Sequence, residues 1–113
     1  MDNGHKELVG ASTALLILGV LQREGASYGY DIVRRANQRA DGAFTWREGT
    51  IYPLLHKLER RGLVRGTWQE AAHGRRRKYY ALTAAGRAAL NEGKRQWDLF
   101  HRIIHNVAGA THA

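Results

Sequence analysis

The sequence predicts a mainly α-helical domain that carries one small β-hairpin and ends in a long helix built to pair. Three observations carry that expectation. Apolar residues recur at helical spacing along most of the 113 residues, short strand-like segments occur only between residues 64 and 82, and the last apolar series follows a heptad. At this length one core of a few helices is feasible but has little area to spare, so a partner subunit would add useful burial.

Residues 1–11 are read as a flexible lead, polar and charged through Lys6. Ser12 is placed as the N-cap of a first helix, whose run Ala14-Leu-Leu-Ile-Leu-Gly-Val-Leu21 is apolar on nearly every side and suits a helix buried all round. Gly25 ends it. Ser27 is read as the next start signal, and Ile32, Val33 and Ala36 recur at helical spacing in a second helix that runs to about Arg39. Thr45-Trp-Arg-Glu48 fits the capping box, in which a hydroxyl and a carboxylate satisfy orphan backbone donors reciprocally. The third helix follows, with Ile51, Leu55 and Leu58 as its core stripe and Leu54 adjoining. Pro53 lacks the N–H that would bond back to Gly49, which moves the regular helix toward Glu48. Gly62 stands where a left-handed C-terminal cap is wanted, and Leu63 supplies the accompanying apolar contact.

From Val64 the pattern changes. Residues 64–70 and 76–82 hold Thr, Val, Trp and two Tyr, and they are read as a hairpin with Gly74 at its turn. Thr83 then caps a last helix, whose apolar and small residues fall at Gly86, Leu90, Gly93, Trp97, Phe100, Ile104 and Val107, alternating steps of four and three. Such a seam at the end of a chain has little of its own domain to bury against. A second copy is the natural partner, with Leu90, Trp97, Phe100, Ile104 and Val107 at the interface. The domain division is therefore a 12–82 unit followed by an 83–108 pairing helix, with fraying expected at both ends, residues 1–6 and 109–113.

Composition narrows the function. With no cysteine, disulfides, thiolate catalysis and cysteine-based zinc sites are excluded. The longest apolar run is too short to span a bilayer and lacks signal-peptide flanks, so a cytoplasmic protein with no membrane role is expected. Net charge is +8, and residues 60–78 hold seven cations and one acid, so +6 sits in that stretch and +2 elsewhere. Focused charge of this kind fits a polyanion. Three helices, a hairpin and a further helix are the order of a winged helix-turn-helix, in which the third helix enters the major groove of double-stranded DNA and the wing reaches the neighbouring backbone. On helix three the side opposite the core stripe presents Thr50, Pro53, His56, Lys57 and Arg60, and on the wing Arg75, Arg76, Arg77 and Lys78 alternate sides, so two can face phosphates while the other two reach along the groove or snorkel over aromatic rings.

Five segments, Leu15-Leu-Ile-Leu-Gly-Val-Leu21, Tyr28-Gly-Tyr-Asp-Ile32, Gly49-Thr-Ile-Tyr-Pro-Leu-Leu55, Leu58-Glu-Arg-Arg-Gly-Leu-Val64 and Arg76-Arg-Lys-Tyr-Tyr-Ala-Leu-Thr-Ala-Ala-Gly86, resemble those of PadR-family transcriptional regulators. In order and spacing they cover about residues 12 to 105. The resemblance implies a homodimer that usually represses transcription, contacts operator DNA through helix three and the wing, and has Tyr52 near the DNA. The short last helix is similar to the smaller branch of the family, which includes a multidrug-resistance regulator whose last-helix tryptophan lines a pocket at the dimer axis and stacks on flat aromatic drugs. Trp97, with Phe100 beside it, is the matching candidate for a planar aromatic effector.

Each assignment has a plainer counterpart. Residues 75–78 could be a solvated basic turn, Tyr52 a ring that packs helix three on the core, and Trp97 ordinary dimer core. Trp46 and Trp68 are read as packing residues. His101 and His105 have the i, i+4 spacing of a shared metal site, yet no further ligand is poised to complete it, so they are read as surface histidines and no metal or cofactor is expected. Ser12 and Ser27 both sit at expected helix starts, without a nucleophile elbow, and no enzyme is expected. The rival readings are a small-molecule binding protein whose main site is the Trp97 pocket, and an interaction module whose heptad helix recruits a different protein.

Overall fold

The computed structural model describes residues 2–70 and 72–109, with side chains from residue 12 onward. The expected fraying of Met1 and of residues 110–113 lies outside the described residues. The chain order is α1 (Asp2–Glu24), β1 (Ser27–Tyr28), α2 (Gly29–Ala40), α3 (Glu48–Arg60), β2 (Val64–Glu70), a 3-10 turn (Ala72–Gly74), β3 (Arg76–Leu82) and α4 (Ala84–Ala108). The three strands form an antiparallel sheet in the order β1-β3-β2. The expected mainly helical architecture with a small sheet stands, and both hairpin strands occupy the residues the composition marks.

α1, α2 and α3 close around one core that holds Ile17, Leu21, Ile32, Ala36, Ile51, Leu55 and Leu58, with Val64 and Tyr80 contributed by the sheet and Leu90 by α4. Trp46, in the loop before α3, ties α1 and α2 together. Its indole Nε1–H donates to the buried Thr13 hydroxyl at 2.9 Å. Its backbone N–H donates to Asn37 Oδ1 at 2.7 Å, and the Asn37 amide donates back to the Trp46 carbonyl at 3.0 Å. A polar Thr13 in an apolar helix is tolerated because that partner satisfies it.

Several local expectations fail for physical reasons. α1 begins at Asp2, so residues 2–11 are helical backbone and Ser12 lies inside the helix instead of capping it; no proline interrupts that stretch, and nothing forces a start at Ser12. Ser27 opens a two-residue strand paired with Tyr80, and α2 starts two residues later. The box at Thr45 does not form: the N-cap of α3 is Arg47, with no side-chain cap. Arg47 itself is extended, with φ −107 and ψ 154, and Thr45 lies two residues before it.

The far end of α3 closes as the sequence indicates. Gly62 has φ +75, its N–H bonds the Glu59 carbonyl at 3.0 Å, and the Leu63 N–H bonds the Leu58 carbonyl at 3.0 Å, the paired bonds of a Schellman cap. Thr83 caps α4 by accepting the Gly86 N–H at 3.0 Å, while its own hydroxyl donates to the Gly62 carbonyl at 2.7 Å. One threonine thus joins the end of α3 to the start of α4.

Candidate nucleic-acid interface

α3 turns Ile51, Leu55 and Leu58 fully inward. At about 100° per residue the far side must carry Pro53, His56, Lys57 and Arg60, and all four are exposed, as is Thr50 on the flank. Tyr52 stands on the opposite flank, toward the wing. Its ring lies against Gly29 at the start of α2, where an added methyl would overlap the ring edge. Burial pushes the Tyr52 phenol up from its ordinary value, and the Glu48 charge adds to that. The hydroxyl is therefore a neutral donor across the physiological range.

The wing divides its four cations. Arg75 and Arg76 are exposed; Arg77 and Lys78 are half-buried. The Arg76 guanidinium sits 5.3 Å from the centre of the Trp68 ring, and that of Arg77 sits 4.6 Å from Tyr28. Lys78 turns inward. Its ammonium lies beside the Trp68 and Tyr80 rings and donates to Glu59 Oε1 at 2.8 Å, so the charge of this expected DNA-binding residue is already met by a carboxylate of α3. Trp68 also differs from its expected packing role, since at 56% exposure it stands on the wing surface with Arg76 beside it.

Between α3 and the wing runs a groove of about 350 Å³, with Tyr52 and His56 on one wall and Trp68, Arg76 and Arg77 on the other. Tyr28, from the strand that periodicity could not detect, lines one edge. Two residues were too few to carry an alternation. The groove offers hydroxyl, guanidinium, ammonium and imidazole donors over aromatic walls, and among the described residues no carboxylate lines it.

The seam on α4 splits in two. Leu90 is 4% exposed within its own chain, and Leu15 of α1 crowds against Gly93, so Leu90 belongs to the domain core and is withdrawn from the interface set. From Trp97 onward the helix leaves its own domain. Trp97, Phe100 and Ile104 are 46, 58 and 50% exposed, and Val107 is 82% exposed. With Gln96 the first three line a shallow hollow of about 420 Å³. Leu99 and Ile103, which the heptad reading omitted, are exposed as well and widen the apolar face.

His101 and His105 meet edge to face, with ring centres 4.4 Å apart. Among the described residues no three His, Asp or Glu side chains gather as a metal-holding group, and no helix is long and apolar enough to cross a membrane.

Comparison with known proteins agrees with this geometry. The regulator Rv3488 of Mycobacterium tuberculosis is 42% identical over 64 residues, which is 57% of this chain and 57% of that protein. A transcriptional regulator from Clostridium thermocellum superposes with a TM-score of 0.80 at 27% identity, covering 88% of this chain and 96% of that one. The Bacillus subtilis regulator PadR, solved in complex with operator DNA, superposes with a TM-score of 0.65 at 28% identity over 72% of this chain and 44% of its own. The matched segments therefore span little more than half the length of Rv3488 and less than half of the B. subtilis protein. The model of the PadR-like transcriptional regulator family matches residues 17–92. On a match that covers two thirds of its length, together with the winged-helix fold, this chain belongs to the PadR-like family of transcriptional regulators.

Proposed function

We propose that this protein regulates transcription by binding an inverted-repeat operator as a homodimer, with α3 in the major groove and the wing on the adjacent backbone. The observation that carries the reading is the groove between α3 and the wing, walled by aromatic rings, edged by Arg76 and Arg77, and continuous with the exposed cations of α3. Thr50, His56, Lys57 and Arg60 face the bases and phosphates, and Tyr52 offers its hydroxyl to the backbone. Arg75, Arg76 and Arg77 take phosphates. Support comes from the B. subtilis relative, whose structure contains operator DNA. No catalytic step belongs to this reading, and the site of action is the cytoplasm.

In this division residues 12–82 read DNA and residues 83–108 pair the subunits through Trp97, Phe100, Ile104 and Val107. Repression is the expected sense. A planar aromatic ligand stacked on Trp97 and Phe100 would release the operator by changing the distance between the two reading heads. The test is a gel shift on the DNA upstream of the protein's own gene, across a salt series and with planar aromatic cations added. The triple change Arg75→Ala, Arg76→Ala, Arg77→Ala should weaken binding and lower the log–log salt slope by about 0.9 for each phosphate no longer neutralised. Unchanged affinity and slope would sink the wing assignment.

The exposed hollow at Trp97 favours one other reading, a small-molecule binding protein in which DNA contact is secondary. Under it, Trp97→Ala abolishes quenching by planar dyes, and the wild-type protein binds its upstream DNA no better than unrelated sequence.

A further inference from the structure

Six of the seven cations among residues 60–78 have no carboxylate partner among the described ion pairs, and the exception is Lys78. We infer that the Glu59–Lys78 pair is a strap that sets the angle of the wing against α3, and that Lys78 is a positioning residue for DNA binding. The inference rests on the reading of α3 and the wing as the DNA-binding surface.

Three elements converge on the pair. Glu59 lies in the last turn of α3, Lys78 in the middle of β3, and Gly66 on β2 beneath both. A Cβ on Gly66 would stand 2.7 Å from Glu59 Oε2 and would collide with the Lys78 stem, so glycine clears the passage through which the two side chains meet. The ammonium is closed in by rings as well, 5.4 Å from the centre of Tyr80 and 5.9 Å from that of Trp68. Its side chain is 22% exposed, and that of Glu59 is 32% exposed. The hydrogen bond to Lys78 holds the Glu59 carboxyl below the usual carboxylate range, and the same bond holds the Lys78 ammonium above the usual lysine value. A carboxylate beside a polyanion's binding face opposes binding, which makes its presence there informative.

The position along the hairpin explains what the pair does. The root of the wing is fixed by the Val64↔Leu82 pairing, and β1 pairs with β3 at Tyr79 and Tyr80, with the Tyr28 ring also meeting the Arg77 guanidinium. The strap acts at the Trp68↔Lys78 pair, four residues from the root, or about 13 Å at strand spacing. Beyond it come only Gln69↔Arg77, Glu70↔Arg76 and the turn. The wing is thus anchored over its inner half, while the segment with Arg75 and Arg76 extends past the last anchor.

The experiment combines operator binding over a salt series with amide hydrogen exchange of residues 66–69 and 77–79 in the DNA-free protein. Lys78→Met should weaken operator binding by about fivefold or more, leave the log–log salt slope unchanged, and speed hairpin exchange by a similar factor. Glu59→Gln should weaken binding too, although it removes a negative charge. The exchanged pair, Glu59→Lys with Lys78→Glu, should return affinity and exchange to within about twofold of wild type, as interacting sites do in a double-mutant cycle. Lys78→Arg keeps the pair and should stay near wild type, which separates loss of the strap from loss of the fold. A slope lowered by about 0.9 in Lys78→Met would make Lys78 a direct phosphate ligand and overturn the inference. Tighter binding by Glu59→Gln, or an exchanged pair as weak as the single changes, would overturn it equally. Should the wild-type protein bind no DNA, the regulatory reading fails, and unchanged hairpin exchange in Lys78→Met would still refute the strap by itself.

Discussion

Trp46 illustrates how one residue fixes a turn that local sequence rules misplace. Its indole reaches back 33 positions to Thr13, and its backbone is clamped by Asn37, so α2, the loop and α1 are set before α3 begins. Thr13→Val keeps the volume but leaves the indole N–H without its acceptor. It should lower stability by about 1–3 kcal/mol, read from the midpoint of urea unfolding. Glu59 and Lys78 give a pH signature at the same scale. The carboxyl titrates low in the folded state, so its contribution is present above the ordinary carboxylate range and is lost as pH falls through the folded value. The ammonium titrates high, so its contribution is present below the ordinary lysine value and is lost as pH rises through the folded one. Both describe one pair and count once. The stability gap between wild type and Glu59→Gln should therefore be widest between those limits and close toward acid, and thermal unfolding at a series of pH values checks it.

At the scale of elements, the junction from α3 through Gly62 to α4 is read most completely from sequence. Gly62 and Thr83 carry strong local signals, and both act as expected, because left-handed caps and hydroxyl N-caps depend on residues within a few positions. The bond between the Thr83 hydroxyl and the Gly62 carbonyl spans 21 positions and had no local signal. Thr83→Ala should cost about 1–2 kcal/mol, and Gly62→Ala about 1 kcal/mol. Since the two positions touch, their combined cost should depart from the sum in a double-mutant cycle. The two-residue strand β1 and the extended start of α1 were illegible for the opposite reason. One is too short for a period, and the other contains no signal that contradicts a helix or demands one.

For the whole molecule, α4 has two unlike halves. Its first half is sealed by its own domain through Gly86 and Leu90, while the half from Trp97 onward stands exposed and apolar. The chain measures 59 × 29 × 26 Å. Leu90→Ala should lower stability by about 2–5 kcal/mol as a core cavity. Ile104→Glu should leave the isolated fold intact and shift sedimentation toward a single-copy species, with loss of high-affinity binding to a two-half-site operator. If Ile104→Glu sediments as wild type does, the pairing role assigned to this face is wrong. The heptad spacing alone could not divide the buried half from the exposed one, because a seam records which side is apolar and is silent about whose surface covers it.

Periodicity, caps and charge placement by themselves determined the helical class, the two wing strands, the Gly62 and Thr83 caps and the concentration of cations between residues 60 and 78. These are properties of neighbours along the chain, where backbone geometry and side-chain spacing act over a few residues. Only the tertiary structure decided that Lys78 answers to Glu59, that Trp68 faces outward, that Tyr28 joins the groove and that Leu90 is sealed in its own core. Each of those depends on a partner brought close by folding and distant in sequence. Composition describes a residue's own chemistry, and burial and pairing belong to the space around it.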